Sequence, residues 1–169
     1  LVFASNKLAE KNLTKEITRR GIDSERLIFG KRLPRAEYLG RYKVVDLFLD
    51  TNPYNAGTTS SDALRMGLPV ITYLGRSFPS RMGASILKSI NMPELIANSQ
   101  NEYESMAVEF AKNPEKLRDI KEKLAKNIKN APLFNAQLFT KHLESAYSII
   151  YDRHINGLKP DHIYLNNTE

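Results

Sequence analysis

The 169-residue chain contains no cysteine. That excludes a disulfide frame, a thiolate nucleophile and cysteine-based metal sites, and it permits a cytoplasmic location. No apolar run approaches the length needed to span a bilayer, and the opening Leu1-Val2-Phe3-Ala4 is too short for a signal core, so no membrane partner is expected. Histidine is scarce. His142, His154 and His162 are too widely separated for a metal motif of the H-x-x-x-H kind and read as structural. Asp46 and Asp50 flank one short apolar run, but residues four apart on a strand lie about 13 Å from each other, too far to share a metal. Internal repeats and low-complexity tracts are also missing.

What the chain has in excess is positive charge, a formal +6. Such a balance raises nucleic acid as a partner, since polyphosphate binding needs a continuous basic surface. The basic residues between Lys112 and Lys129 do not form one. They alternate with Glu115, Asp119 and Glu122 around a helix whose buried face is Leu117, Ile120, Leu124 and Ile128. A solvated helix is the expected reading, and a modest positive balance equally suits a cleft that attracts a nucleoside diphosphate.

The hydrophobic pattern predicts an α/β fold: a Rossmann-like parallel sheet flanked by helices, with a helical C-terminal end. Leu1–Ala4 reads as a strand already under way. Leu8, Leu13 and Ile17 give one apolar face to a helix that stops at Gly21, and Leu27-Ile28-Phe29 resumes the sheet. From Pro79 onward helices dominate, over about 80–90, 102–112, 114–130 and 135–154, with Pro114 and Pro132 at the breaks. Phe139, Leu143, Ala146 and Ile150 form one stripe on the last of these.

The segment Asp46–Tyr73 carries the chemistry. Leu47–Leu49 and Val70-Ile71-Thr72-Tyr73 read as parallel strands, with a crossover helix over Thr59–Met66 between them. Ligands of such sheets bind beyond the carboxyl ends of the strands, where helix-start N–H groups face an anion. Ala56-Gly57-Thr58-Thr59 falls at that edge. A helix cap by itself accounts for Thr59-Ser60-Ser61-Asp62. The fuller combination points to a ligand: Gly57 for close backbone approach, adjacent hydroxyls on Thr58 and Thr59 for phosphate oxygens, and Asp62 one turn on to accept from sugar hydroxyls. Asp50, at the head of the loop Thr51–Ala56, is expected to fix it by accepting backbone hydrogen bonds.

Asn55-Ala56-Gly57-Thr58-Thr59-x-x-Asp62-Ala63-Leu64-x-x-Gly67-x-Pro69-Val70 resembles the nucleotide-sugar site of the O-GlcNAc transferase family, particularly its bacterial members. Arg20-Gly21-Ile22-Asp23, Ser80-Arg81, Glu94-Leu95-Ile96, Pro132-Leu133-Phe134-Asn135 and Lys159-Pro160-Asp161-His162 extend the resemblance over almost the whole chain. It implies the second half of a GT-B glycosyltransferase. Residues 1–134 would form the nucleotide-sugar-binding domain, truncated at its N-terminus, and residues 135–169 a helix and tail packing back on the GT-B core. The family's tandem threonines hold the donor diphosphate, so Thr58 and Thr59 inherit that role and Asp62 a ribose contact. Arg35 matches a family lysine near the ribose, Tyr38 a position often held by histidine, and Arg41 a basic residue bordering the uracil.

Three departures stand out. Animal members carry histidine where this chain has Gly57. Arg35 in place of lysine turns a point donor into a planar fork, and Tyr38 keeps an aromatic face without a titrating ring.

The activity implied is an inverting, metal-independent transfer of N-acetylglucosamine from UDP-GlcNAc to serine or threonine of a protein, with no cofactor. No catalytic base stands out in this chain. The implied remainder comprises the first strand and helix of this domain, a diphosphate-binding lysine, the acceptor-side domain and a tetratricopeptide array, while the C-terminus resembles the family's natural end. Another donor such as GDP-fucose, a non-catalytic scaffold with a vestigial site, and a nucleic-acid-binding domain are the alternatives.

Overall fold

A computed structural model of the chain describes residues 6–165. The strand expected over Leu1–Ala4 and the tail Asn166–Glu169 lie outside the described residues. Helix α1 (Lys7–Arg19) opens on Asn6, whose side chain accepts from the Ala9 N–H at 2.9 Å. The expected apolar face of α1 is present but buries no residue, and Leu8 is 66% exposed.

The strand expected at Leu27–Phe29 is reduced to one bridge residue, Phe29. Its approach is taken by a 3-10 turn over Ser24–Arg26, because the Asp23 carboxylate accepts from the Glu25 N–H and bends the chain there. Helix α2 (Arg35–Gly40) follows and runs straight into a second 3-10 turn, Arg41–Val44.

The sheet has three parallel strands in the order β1 (Phe48–Leu49), β2 (Val70–Tyr73), β3 (Ile96–Ala97). Phe48 pairs with Val70 and Leu49 with Ile71, while Thr72 pairs with Ile96 and Tyr73 with Ala97. Consecutive residues Val70, Ile71 and Thr72 are all buried. Since neighbouring strand residues point to opposite faces, both faces of β2 are covered. The crossover from β1 to β2 runs through α3 (Thr58–Arg65) and that from β2 to β3 through α4 (Met82–Ser89). Right-handed crossovers put these two helices on one face. The other face is closed by α5 (Gln100–Lys112), which packs on β2 and β3, and by α6 (Pro114–Asn127), which packs on α5.

Gly67, at φ +82, lets α3 turn sharply into β2: its N–H reaches the Leu64 carbonyl, and the Leu68 N–H reaches that of Ala63. The core gathers Leu64, Ile71, Leu87, Ile90, Met92, Leu95 and Leu124, all below 2% exposure. Leu117 and Ile128 pack against it, so the face expected for α6 is the one that is buried. α7 (Ala136–Ile155) begins at Asn135, which caps it through the Leu138 N–H, and it contains no buried residue. Among the described residues no helix is long and apolar enough to cross a membrane.

Ser60, in the first turn of α3, is 1% exposed and its hydroxyl has no hydrogen-bond partner among the described residues. A buried hydroxyl without a partner is destabilising by about 1–3 kcal/mol. Ser60→Ala is therefore expected to raise the midpoint of urea unfolding, with the slope unchanged.

Candidate functional site

The carboxyl edge of the sheet is organised by Asp50, the residue that follows β1. One oxygen accepts from the Thr51 N–H at 2.8 Å and the Ala56 N–H at 2.7 Å, and the other from the Thr72 hydroxyl at 2.6 Å. The loop expected to hang on this carboxylate does so. Asn55, 1% exposed, adds the second tie: its Nδ2 donates to the Thr51 carbonyl, its N–H to that of Pro79, and its Oδ1 accepts from the Gly83 N–H. Loop 51–57, the loop after β2 and the start of α4 are thus one hydrogen-bonded unit. α4 approaches closely enough that a Cβ on Gly83 would sit 2.5 Å from both Asp50 Oδ2 and Thr72 Oγ1. Only glycine fits there.

That unit aims α3. The helix begins at Thr58 with Gly57 in the N-cap position, and no side chain caps it. The capping alternative for Thr59–Asp62 is thereby removed, because the helix starts one residue earlier and Asp62 is engaged elsewhere. Thr58 and Thr59 are exposed, and their hydroxyls have no partner among the described residues. The first N–H groups of a helix have no intrahelical acceptor, so this end carries uncompensated donors and the positive end of the helix dipole. Gly57 is not required by the fold: at φ −94 its added Cβ would meet only Met82 Cγ, at 3.8 Å.

α2 brings the remaining residues to the same place. Arg35 holds Asp62 through both oxygens, Nη2 to Oδ1 at 2.9 Å and Nη1 to Oδ2 at 3.2 Å, with the Arg35 side chain 66% exposed and that of Asp62 only 11%. The guanidinium carbons of Arg35 and Arg41 each lie 5.8 Å from the centre of the Tyr38 ring, within cation–π range. Arg41 also donates from Nη2 to the Lys31 carbonyl at 2.9 Å. Arg35, Tyr38 and Arg41 therefore stand beside the Thr58–Asp62 turn. In the structure Asp62 faces Arg35, and Arg41 is bonded to backbone.

Sequence reasoning missed Tyr42. It is 7% exposed, stacks edge-to-face on Tyr38, and its hydroxyl reaches both Tyr38 and the Thr59 carbonyl. Its spacing from Tyr38, four residues along one helical path, was the available signal. Burial first, then the Tyr38 hydroxyl and the Asp62 charge, push the Tyr42 phenol well above its ordinary value. Tyr103, which donates to the Asp50 carbonyl at 2.8 Å, is pushed up to about 12, mainly by burial.

Among the described residues no group of three or more His, Cys, Asp or Glu could hold a metal. A separate cleft of about 630 Å³ lies at the amino end of β1, lined by Asp46, Leu47, Phe110, Leu117 and Lys121 among others. Its Asp46 and Lys121 neutralise each other at 2.8 Å, and it is remote from the α3 start.

The sequence model of glycosyl transferase family 41 matches residues 2–143. The chain belongs to that family. Among family 41 relatives, the UDP-N-acetylglucosamine–peptide N-acetylglucosaminyltransferase of Caenorhabditis elegans is 31% identical over 160 residues, 95% of this chain and 14% of its own length. A probable enzyme of the same name from Oryza sativa, SPINDLY, is 32% identical over 124 residues, 73% of the chain and 13% of its own length. The solved structure of a lysine-to-methionine mutant of Thermobaculum terrenum O-GlcNAc transferase superposes with a TM-score of 0.76 at 31% identity, covering 84% of this chain and 27% of that one. The Rossmann-like fold expected of a GT-B half is thus the one observed, and the chain spans about a seventh of the curated relatives it matches.

Asp50 offers a direct test of the loop architecture. Burial outweighs its three donors and raises its native pKa above the ordinary carboxylate value. The folded state then binds the proton more readily than the unfolded one, so stability falls as pH rises from the ordinary carboxylate range through the raised native value. Asp50→Asn keeps an acceptor for Thr51 and Ala56 and should lose this component of the pH profile. Asp50→Ala orphans the Ala56 and Thr51 donors and is expected to cost about 1–3 kcal/mol in urea unfolding at neutral pH.

Proposed function

We propose that the chain is the donor-binding portion of an inverting glycosyltransferase that moves N-acetylglucosamine from UDP-GlcNAc to serine or threonine hydroxyls of proteins. The observation that carries this reading is the uncapped start of α3, with the hydroxyls of Thr58 and Thr59 unused and Arg35, Tyr38 and Arg41 gathered beside it. The names of the family 41 relatives supply the sugar and the acceptor class.

In this reading the diphosphate lies against the α3 N–H groups and the two threonine hydroxyls. Asp62 and Arg35 face the ribose, and Arg41 and Tyr38 border the base. The acceptor oxygen attacks the anomeric carbon, the bond from that carbon to the diphosphate oxygen breaks, and UDP leaves with the electron pair. The acceptor proton passes to a base outside this chain. Charge developing on the leaving diphosphate is met by donors already in place, which is how preorganised electrostatics lowers a barrier. The transfer is read as independent of metal, as the family resemblance implies.

The C-terminal segment fits the same picture. Phe139, Tyr147, Tyr151 and Ile155 on α7 are each more than 60% exposed. An apolar face of this kind supports residues 135–169 packing on the other half of a GT-B core. Amide exchange along α7 is expected to be slower in the full-length protein than in the 169-residue chain. Equal rates in the two would separate α7 from that core.

The site itself is tested by calorimetric titration of UDP, with GDP as the control, into the full-length protein. UDP should bind in preference to GDP, and Thr58→Ala/Thr59→Ala should weaken UDP by about 3–6 kcal/mol, two charge-assisted hydrogen bonds at about 1.5–3 kcal/mol each. Gly57→Ala meets no clash in the fold and costs only the N-cap preference for glycine over alanine, so a loss of UDP affinity measured where the variant is folded reports a Cβ in ligand space. Preference for GDP would move the reading to a guanosine donor, and binding of neither would favour a scaffold.

A further inference from the structure

The Tyr42 hydroxyl joins the two halves of the proposed nucleotide site. It lies 2.5 Å from the Tyr38 hydroxyl and 3.3 Å from the Thr59 carbonyl. The Tyr42 hydroxyl thus stands between the two, and either hydroxyl of the Tyr38–Tyr42 pair can be the donor. A hydrogen-bonded chain therefore runs from the side chain flanked by Arg35 and Arg41 to the backbone of the first turn of α3. A phenylalanine would fill the same buried space. Placing a hydroxyl there is unfavourable unless it is bonded, and this one is bonded on both sides. The charged and titratable groups around it are Tyr38, Asp62 and Arg41, and their balance together with burial keeps the phenol protonated through the physiological range.

A second link joins the same elements, the Arg35–Asp62 pair. Its arginine is 66% exposed, and a ribose approaching Asp62 competes directly with it. The link through Tyr42 is buried and offers no atom that such a ligand would displace.

We propose that Tyr42 is a positioning residue whose hydroxyl holds the nucleoside-facing side chains of α2 in register with the diphosphate-facing start of α3. This rests on the nucleotide reading above and adds to it the residue that couples the two subsites. A nucleoside diphosphate gains affinity over its separate parts because both are held at a fixed spacing. Loss of the Tyr42 hydroxyl leaves each subsite intact and loosens the spacing.

The test uses the full-length protein and Tyr42→Phe, which keeps the ring packing. Affinity for UDP is expected to fall about three- to tenfold, equivalent to one ordinary hydrogen bond, with KM for UDP-GlcNAc rising in step and kcat unchanged. Affinities for uridine and for pyrophosphate, each measured by competition against labelled UDP, should stay at wild-type values. Tyr38→Phe breaks the same chain from its half-buried end. It should weaken UDP as well, and the double variant should be no worse than the weaker-binding single one, while the uridine and pyrophosphate comparison is read on Tyr42→Phe alone.

Wild-type UDP affinity in Tyr42→Phe overturns the proposal, and so does a parallel loss of uridine or pyrophosphate binding in that variant, which marks general damage. If Thr58→Ala/Thr59→Ala weakens UDP binding while Tyr42→Phe binds UDP as wild type does, the nucleotide reading stands and the role of Tyr42 falls. If the threonine variant binds UDP as wild type does, the nucleotide reading falls and this proposal with it.

Discussion

A carboxylate buried at the end of the first strand holds the site together. Asp50 donates its N–H to the Ile71 carbonyl of β2, accepts the Tyr103 hydroxyl of α5 on its own carbonyl, and accepts from Thr51, Ala56 and Thr72 on its side chain. Taking a carboxylate out of water is unfavourable, and its raised pKa shows that the penalty is only partly offset by its donors. What the arrangement secures is geometry. A loop of polar residues that would otherwise sample many conformations is clamped to the strand, and the helix after it can leave in only one direction.

The direction of α3 then decides the electrostatics. A helix capped by its own side chain would satisfy its end donors internally. Here Gly57 leaves them open, and the acidic group one turn on, Asp62, is turned to Arg35. Uncompensated donors stand at the start of α3 beside Arg35, while charge on α6 is locally balanced, as by Lys116 with Glu109 and Lys123 with Glu94. The formal +6 of the chain says little about function. The placement of a few uncompensated donors says more.

Much of the architecture was legible before any coordinates. Helices α5, α6 and α7 announced themselves through 3.6-residue periodicity and the breaks at Pro114 and Pro132, and β2 through Val70-Ile71-Thr72-Tyr73 between turn signals. The strand at 27–29 was overstated, since apolar composition marks a segment suited to a sheet while a paired neighbour is what makes it a strand. β3 was not foreseen, because two residues are too few to show a period. Gly57 was read as allowing close backbone approach to a ligand, and its open surroundings, with only Met82 Cγ at 3.8 Å from an added Cβ, show that packing within the fold does not exclude a side chain there.

The sequence by itself determined the order of the main helices around β1 and β2, the buried face of α6 and the residue types that stand at the start of α3, because these depend on local periodicity and on side-chain chemistry. Only the tertiary structure decided the pairing of Arg35 with Asp62 across 27 residues, the span of Tyr42 from Tyr38 to Thr59, and the contact of Gly83 with Asp50. Such contacts arise when separate elements pack on a common sheet, and nothing in the spacing of residues along a chain encodes the distance between two helices that meet only after folding.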